Sequence, residues 1–306
     1  MLEVTGERLL PDRQRGELVH AQHLARYLFA ARFASGRTVL DAACGEGYGT
    51  ALLGAAGAEG ATGIDIDEPT VAHARDTYPH RFERADVAHL PFADDSFSLV
   101  VSFETLEHVE DAPAAVAEFR RVLADDGVLI ASTPNSARYM ADNEFHVREF
   151  TQEEFEQLLG LHFEELRMFY QQDWLTSAVL SEEQLRRDDH SSPLRAQLAK
   201  VAGSAPQEHL FSVAVCGPWT AAVEDTAVMT GIFEAQQTVE WVDRALQAEH
   251  RYAASRKELA AWTKRAREAE RQAAEDRARA AMYEDSLSWR VTRPLRNASR
   301  RLRPRP

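Results

Sequence analysis

The chain reads as an α/β protein, a doubly wound sheet followed by a long α-helical extension, and three observations carry that reading. Val39-Leu40-Asp41 has the form of a buried strand end. It runs into the small-residue loop Ala42-Ala43-Cys44-Gly45-Glu46-Gly47-Tyr48-Gly49, which opens the helix-like run Thr50-Ala51-Leu52-Leu53. Strand-like and helix-like segments then alternate to about Thr133, as a doubly wound sheet requires. From Ile232 to Arg293 there is neither Gly nor Pro, and residues 253–281 are dense in Ala, Glu, Arg, Lys and Gln, all good helix formers.

Each element has its own signature. Residues 1–36 are a lead-in, in which Leu18, Leu24, Tyr27 and Leu28 fall at helical spacing between Glu17 and Ala34. Residues 37–219 are the sheet domain. After the first strand, Gly63-Ile64-Asp65-Ile66-Asp67 and Phe82-Glu83-Arg84-Ala85-Asp86 read as strands two and three, each closing on an acid. Strand four is expected over 98–103 and strand five over 127–132. Their continuous apolar runs, Leu99-Val100-Val101 and Val128-Leu129-Ile130, suit strands covered on both faces. Thr151-Gln152-Glu153-Glu154 has the form of a capping box for a helix over 153–159. Segments 163–170 and 210–216 have strand-like composition. Between them, residues 171–208 form an insert far longer than a hairpin loop needs, read as a substrate-side flap or a disordered stretch. Residues 232–285 predict a long helix. Trp241, Ala248 and Trp262 fit a seven-residue grid that Ser255 breaks, so a weak coiled coil and a solvent-exposed helix fit equally, and a homo-oligomer stays open. Residues 286–306 form a basic tail.

Composition bounds the function. Hydrophobic content of 44% is that of a folded globular protein, and Cys44 and Cys216 give neither a disulfide framework nor metal-ligand spacing. The opening residues lack a basic and apolar leader, and no apolar run is long enough to cross a bilayer, so a reducing cytoplasm is the expected compartment. The net charge is -14, yet residues 290–306 carry seven arginines and no acid, which leaves -21 on the rest of the chain. An acidic body repels phosphates, so no nucleic-acid partner is expected.

The glycine loop specifies its ligand class. A dinucleotide fingerprint reads G-x-G-x-x-G and sets a pyrophosphate on the helix N-terminus. Here the spacing is G-x-G-x-G with Asp41 just before it, a charge that suits a cation. Asp65, ending strand two, can accept both hydroxyls of an unphosphorylated ribose. Asp86 can accept from an adenine amine, or serve as an ordinary loop acid, while Ile66 and Val87 could sandwich the ring. Asp65 and Asp67 both precede the helix opening near Pro69, and the N-cap is expected from Asp67 rather than Asp65. One cation, one diol and one exocyclic amine are the demands of S-adenosylmethionine.

Over residues 37–135 the motifs VLDAACGEGYG, GIDID, ADVAHLPF, SLVVSFETLEHVED and VLIAST stand in one order. In this the chain resembles the class I, Rossmann-like, S-adenosylmethionine-dependent methyltransferases. It departs from their pattern at Ala43, where the loop's first glycine more often stands, and at Ser98, where an Asp is common. The resemblance implies a seven-stranded sheet whose last two strands are an antiparallel edge pair, and S-adenosylmethionine as cofactor. It places Asp41, Ala43, Cys44, Gly45, Gly47, Asp65, Ile66, Asp86, Val87, Phe103 and Glu104 around that cofactor. Tyr27 of the lead-in helix would face its methionine end or simply pack.

A hydroxyl acceptor must lose a proton during methyl transfer, and a neutral His is suited to taking it. His108, in Leu106-Glu107-His108-Val109, and His146, in His146-Val147-Arg148-Glu149-Phe150-Thr151, both follow strands at the ligand edge and are the candidate bases; either could instead be architectural. Arg148 could bind an acceptor or pair with Glu149 or Glu153. Asp94-Asp95 and Asp111 could join a cation site, but no metal is expected. The His146 segment resembles that of methyltransferases from polysaccharide gene neighbourhoods. The arginine-rich tail resembles those of bacterial polysaccharide-assembly proteins, and Trp289 among arginines suits an anionic membrane surface. The leading expectation is O-methylation of a sugar hydroxyl on a glycan or glycolipid precursor, with peripheral membrane or glycosyltransferase-complex contact. The alternatives are a small-molecule methyltransferase of quinone or secondary metabolism, and a cofactor-binding scaffold that catalyses nothing.

Overall fold

A computed structural model describes residues 17–138, 145–173, 179, 181–183, 209–218, 228, 230, 261–279, 282 and 291–292. Its order is α1 (Leu18–Ala31), β1 (Thr38–Ala42), α2 (Tyr48–Ala55), β2 (Gly60–Asp65), α3 (Glu68–Thr77), β3 (Arg81–Arg84), β4 (Phe97–Phe103), a 3-10 turn (Leu106–His108), α4 (Ala112–Val122), β5 (Leu123–Pro134), α5 (Gln152–Gly160), β6 (Leu166–Gln171) and β7 (Phe211–Cys216). The strands form one seven-stranded sheet in the order β3-β2-β1-β4-β5-β7-β6. β1 to β5 pair in parallel, while β7 runs antiparallel to both β5 and β6.

The apolar runs are continuous because both sheet faces are covered. Successive strand residues alternate between two cores. Leu40, Ala42, Ile64, Val100, Leu129 and Ala131 pack with Val116 and Phe119 of α4 and Phe155 of α5. Val39, Leu99, Val101, Val128 and Ile130 pack with Tyr27 and Ala30 of α1 and Leu53 of α2. A smaller cluster joins Cys44 and Phe82 to Val71 and Ala74 of α3. Strand order reverses between β1 and β4, so the carboxyl ends of those two strands border the crevice where ligands bind in open α/β sheets.

Several boundaries differ from the sequence expectation. β3 stops at Arg84, which leaves Asp86 in the following loop. β5 begins at Leu123, directly out of α4, because its first residues already pair with Phe97 across a register shift. β6 begins at Leu166, and Phe163 is instead a buried core residue of the turn before it. Most of the insert 171–208 lies outside the described residues, as do Trp241, Ala248, Ser255 and nearly all of the basic tail.

Residues 234–306 form a separate unit. Within it, residues 261–279 are helical and almost wholly exposed, with Trp262 at 70%. No described helix is long and apolar enough to cross a membrane.

The capping box at α5 forms as its residues predict. Thr151 Oγ1 accepts from the Glu154 amide at 3.2 Å, and Glu154 Oε2 accepts from the Thr151 amide at 2.9 Å. The cap fixes where α5 starts, and so how Phe155, Leu158 and Leu159 enter the core. Thr151→Ala should therefore lower unfolding free energy by about 1 kcal/mol in urea denaturation, with spectroscopic signatures of the native fold intact.

Candidate active site

The glycine loop turns through three left-handed residues, Ala43 (φ 65°), Gly45 (φ 56°) and Gly47 (φ 93°). Gly47 is also the N-cap of α2, and a Cβ there would stand 2.8 Å from the Phe82 ring. Glycine is thus required twice at this point, by dihedral and by space. Ala43 adopts its positive φ with a methyl group in place, a conformation that costs an L-residue about 1–2 kcal/mol. Cys44 is buried against Val71, Ala74 and Phe82, and burial pushes its thiol well above the usual range, as expected of a packing residue.

Asp41 lies deeper than a ligand-facing acid. It is buried, with Oδ2 accepting from Thr50 Oγ1 at 2.7 Å and Oδ1 from Tyr27 Oη at 3.1 Å. Desolvation pushes its carboxyl up to about 7, against the lowering effect of those two hydrogen bonds. Tyr27 both packs and donates: its ring meets Phe103 edge-on at 5.1 Å and Tyr48 at 5.2 Å.

Asp65 ties the loop to β2. Its Oδ2 accepts from the Gly45 amide at 3.1 Å and its Oδ1 from the Asp67 amide at 2.9 Å. Asp67, not Asp65, caps α3, accepting from the Thr70 amide at 3.1 Å and from the Thr70 hydroxyl. Next to it Ile66 is 63% exposed, an apolar side chain standing in water at the end of a strand. Val87 is buried in the core instead, so the two do not flank the crevice alike. Asp86 accepts from the Ala88 amide at 2.9 Å in a local turn.

These residues fit S-adenosylmethionine. Asp65 and exposed Ile66 suit a ribose diol and an adenine face, and buried Asp41 supplies the negative field a sulfonium or ammonium needs. Among the described residues, Tyr48 Oη and Arg26 Nε are buried donors without a hydrogen-bond partner. Arg26 is held by Gln171 at 2.7 Å and lies over the Phe211 ring at 4.7 Å, and its charge reaches the Tyr48 hydroxyl. Such donors match the carboxylate of the cofactor's methionine end. Neither was conspicuous in the sequence; the one signal was a cation beside Tyr27 on the inward face of α1.

A second group of side chains gathers past β4. Glu104 has a positive φ of 50°, and its carboxylate accepts from Ser132 Oγ at 2.6 Å. His108 and His146, far apart in sequence, meet edge-on at 4.9 Å. Glu107, which the sequence did not mark, is buried beside them, with Oε2 accepting from Thr133 Oγ1 at 3.2 Å. Burial and then the Glu104 charge hold its carboxyl well above the usual range. His146 is pulled down by burial and by His108, against the opposing pull of Glu149. A small cleft is lined by Glu107, Thr133, Pro134, Ser136, His146 and Glu149. Arg148 does not join it: the guanidinium lies 4.9 Å over the Phe150 ring and 3.8 Å from Glu154, a partner other than the two expected. Asp94, Asp95 and Asp111, which could have joined a cation site, are not assembled either. Asp94 pairs with Arg121 at 2.8 Å, Asp111 caps α4, and Asp95 sits in its own left-handed turn.

Two outcomes test this arrangement. Asp41 binds a proton more tightly folded than unfolded, so the native state holds the extra proton between about pH 4 and 7. Stability should therefore fall as pH rises through that window and level off above it, by on the order of 4 kcal/mol for this group alone. The Asp41→Asn profile should lack that slope, so the difference between the two stability profiles should display it. For the cofactor, calorimetry should show Asp65→Ala weakening S-adenosylmethionine binding at least about tenfold, the loss of one bidentate hydrogen-bonding group. Asp67→Ala should instead lower stability with little change in affinity. Equal affinity in wild type and Asp65→Ala would remove the ribose assignment.

The chain's kinship agrees with this geometry. Residues 40–131 match the family model described as a methyltransferase domain. A "Probable S-adenosylmethionine-dependent methyltransferase" of Mycolicibacterium smegmatis is 39% identical over 164 residues, covering 52% of this chain and 63% of its own. A protein of the same description from Mycobacterium tuberculosis is 38% identical over 165 residues, covering 52% and 60%. An O-methyltransferase of Penicillium expansum is 35% identical over 104 residues, covering 32% and 38%. The chain thus spans about three fifths of the length of the first two relatives. Over residues 40–131 the chain is thus similar to S-adenosylmethionine-dependent methyltransferases, in keeping with the fit of that cofactor to the site.

Proposed function

We propose that the protein transfers the methyl group of S-adenosylmethionine to a hydroxyl of a small-molecule acceptor. One observation carries the reading: Glu107, His108 and His146 converge just past the end of β4, the strand beside β1 and its glycine loop. Methyl transfer from a sulfonium needs mainly alignment, but an alcohol acceptor also needs somewhere for its proton to go. Basic groups at the edge of the cofactor crevice supply that. The oxygen specificity named for the Penicillium relative is in keeping with it.

A sugar hydroxyl on a glycan precursor is a narrower form of the same chemistry. Its support in the sequence was the His146–Thr151 segment and the arginine tail. Arg148, the cation meant to hold an anionic sugar, is engaged with Phe150 and Glu154. The small-molecule acceptor therefore comes first. A non-catalytic scaffold has no use for a loop, an acid and an unpaired donor pair that together fit the cofactor.

The test is incubation with methyl-labelled S-adenosylmethionine and two extracts, one of small metabolites and one of glycans and glycolipids. Label is expected in an ether of the metabolite fraction. Label confined to the glycan fraction would favour the sugar acceptor, and none in either would overturn the reading. At saturating cofactor, His146→Ala should slow turnover at least about tenfold while leaving cofactor affinity within about twofold.

A further inference from the structure

Among the described residues, one group of three potential metal ligands stands close together: one ligand atom each from Glu107, His108 and His146, all within 4.8 Å of one another. We propose that this group is a binding site for a divalent transition cation of the zinc class.

Two unsatisfied atoms point to the ligand. Glu107 is 1% exposed, its Oε2 takes the Thr133 hydroxyl, and its Oε1 has no partner. The His146 side chain is 6% exposed, and its Nδ1 is likewise without a hydrogen bond, since Glu149 Oε1 stands 3.6 Å away. Both residues line the same small cleft. Buried polar atoms in native proteins nearly always have partners, so two orphans facing one space call for a shared occupant. A cation that accepts lone pairs from both satisfies them together.

The surroundings are those of a prepared site. His108 Nδ1 lies 3.1 Å from the Phe145 carbonyl, which can only accept, so Nδ1 carries the hydrogen and the neutral ring's lone pair is on Nε2. That is the support a metal-bound imidazole ordinarily has. Thr133 orients Glu107 in the same way. The Val147 and Arg148 amides both donate to the Glu107 carbonyl, at 2.9 and 3.1 Å, and bind the His146 segment to the turn that carries the other two ligands. Two imidazoles and a carboxylate select zinc or a neighbouring first-row ion over calcium or magnesium, which prefer oxygen alone. Glu104 and Glu149 add negative charge nearby. The field of Arg26 reaches Glu107, but its guanidinium is held by Gln171 and Phe211. Three protein ligands leave a coordination position open. Resting on the methyl-transfer reading, that position would take the acceptor oxygen and make its hydroxyl more acidic; with both imidazoles on the metal, the proton would pass to water.

The experiment uses the full chain, stripped with a chelator, without cofactor or acceptor. Zinc is titrated in competition with a chromophoric chelator, and cobalt is followed by its visible absorption. One tight equivalent of zinc per chain is expected. His146→Ala and Glu107→Gln should each weaken it at least tenfold and abolish the cobalt absorption, with His162→Ala, an exposed histidine elsewhere, unchanged. Should Glu107→Gln fail to fold, as circular dichroism would show, His146→Ala and His108→Ala carry the test. Absence of a stoichiometric equivalent, or affinity unaltered in both histidine variants, would overturn the site and leave Glu107 as a carboxyl that simply keeps its proton. Binding is read without methyl transfer, so the two readings fail separately. Zinc bound by a chain that never methylates would sink only the proposed function. Methylation persisting in chelator, with no zinc bound, would sink only the site.

Discussion

The arrangement depends on a single carboxylate held out of water. Asp41 lies one residue before the end of β1, and its two oxygens receive hydroxyls from α1 and α2, through Tyr27 and Thr50. Burying a carboxylate is costly, and these two hydrogen bonds offset only part of that cost, as its carboxyl being pushed up to about 7 shows. What the cost secures is geometry. Tyr27 is fixed against Phe103 and Tyr48, α2 is drawn down onto β1, and the loop between them has little freedom left. Asp65 then pins the loop from the other side through the Gly45 amide. A cation arriving at such a place meets a negative field that solvent does not screen, and its charge would favour the ionised form of Asp41 in turn.

Strain collects at the same edge. Among the described residues three non-glycine positions have positive φ: Ala43, Asp95 and Glu104. Ala43 follows β1 and Glu104 follows β4, the two strands that flank the reversal in strand order. Each is held by its neighbours. The backbone of Cys44, just after Ala43, donates to Ile64, and the Glu104 amide donates to the Ser132 carbonyl. Left-handed residues of this kind persist only where the surroundings over-determine them, and they gather at functional sites.

Much of this was legible in the chain because it is local. The loop glycines, Asp65 at the end of β2 and the Thr151–Glu154 capping box are short-range devices, and the sheet places them where their spacing predicts, whereas Asp86 falls beyond the end of β3. Asp67 as the cap of α3 was legible for the same reason. The depth of Asp41 was not, since nothing near it in sequence says that Tyr27 will cover it. Glu107 was hidden because a charged residue beside a histidine looks like surface; only packing shows that one is buried. The partners of Arg148 were hidden for the opposite reason. A cation beside His146 suggests a ligand, but Phe150 and Glu154, two and six residues on, reach it first. Arg26 and Tyr48 depend on the fold bringing α1 over α2, and no motif announces that.

Glu104 is where the two halves of the site are joined. Phe103 belongs to the core under α1 and α2, while Leu106 belongs to the core under α4 and α5. Between them the chain must cross from one side of the sheet to the other within three residues, and a left-handed turn at Glu104 does that. β5 answers in kind. Its adjacent residues Ser132 and Thr133 project to opposite faces, as neighbours in a strand must. Ser132 donates to Glu104 and Thr133 to Glu107. One pair of strand residues thus sets the carboxylate that borders the Tyr27 side and the one that borders the histidines. A shift of β5 by a single residue would exchange their faces and disconnect both carboxylates. The register of β5 against β4 is therefore as much a part of the site as any side chain in it.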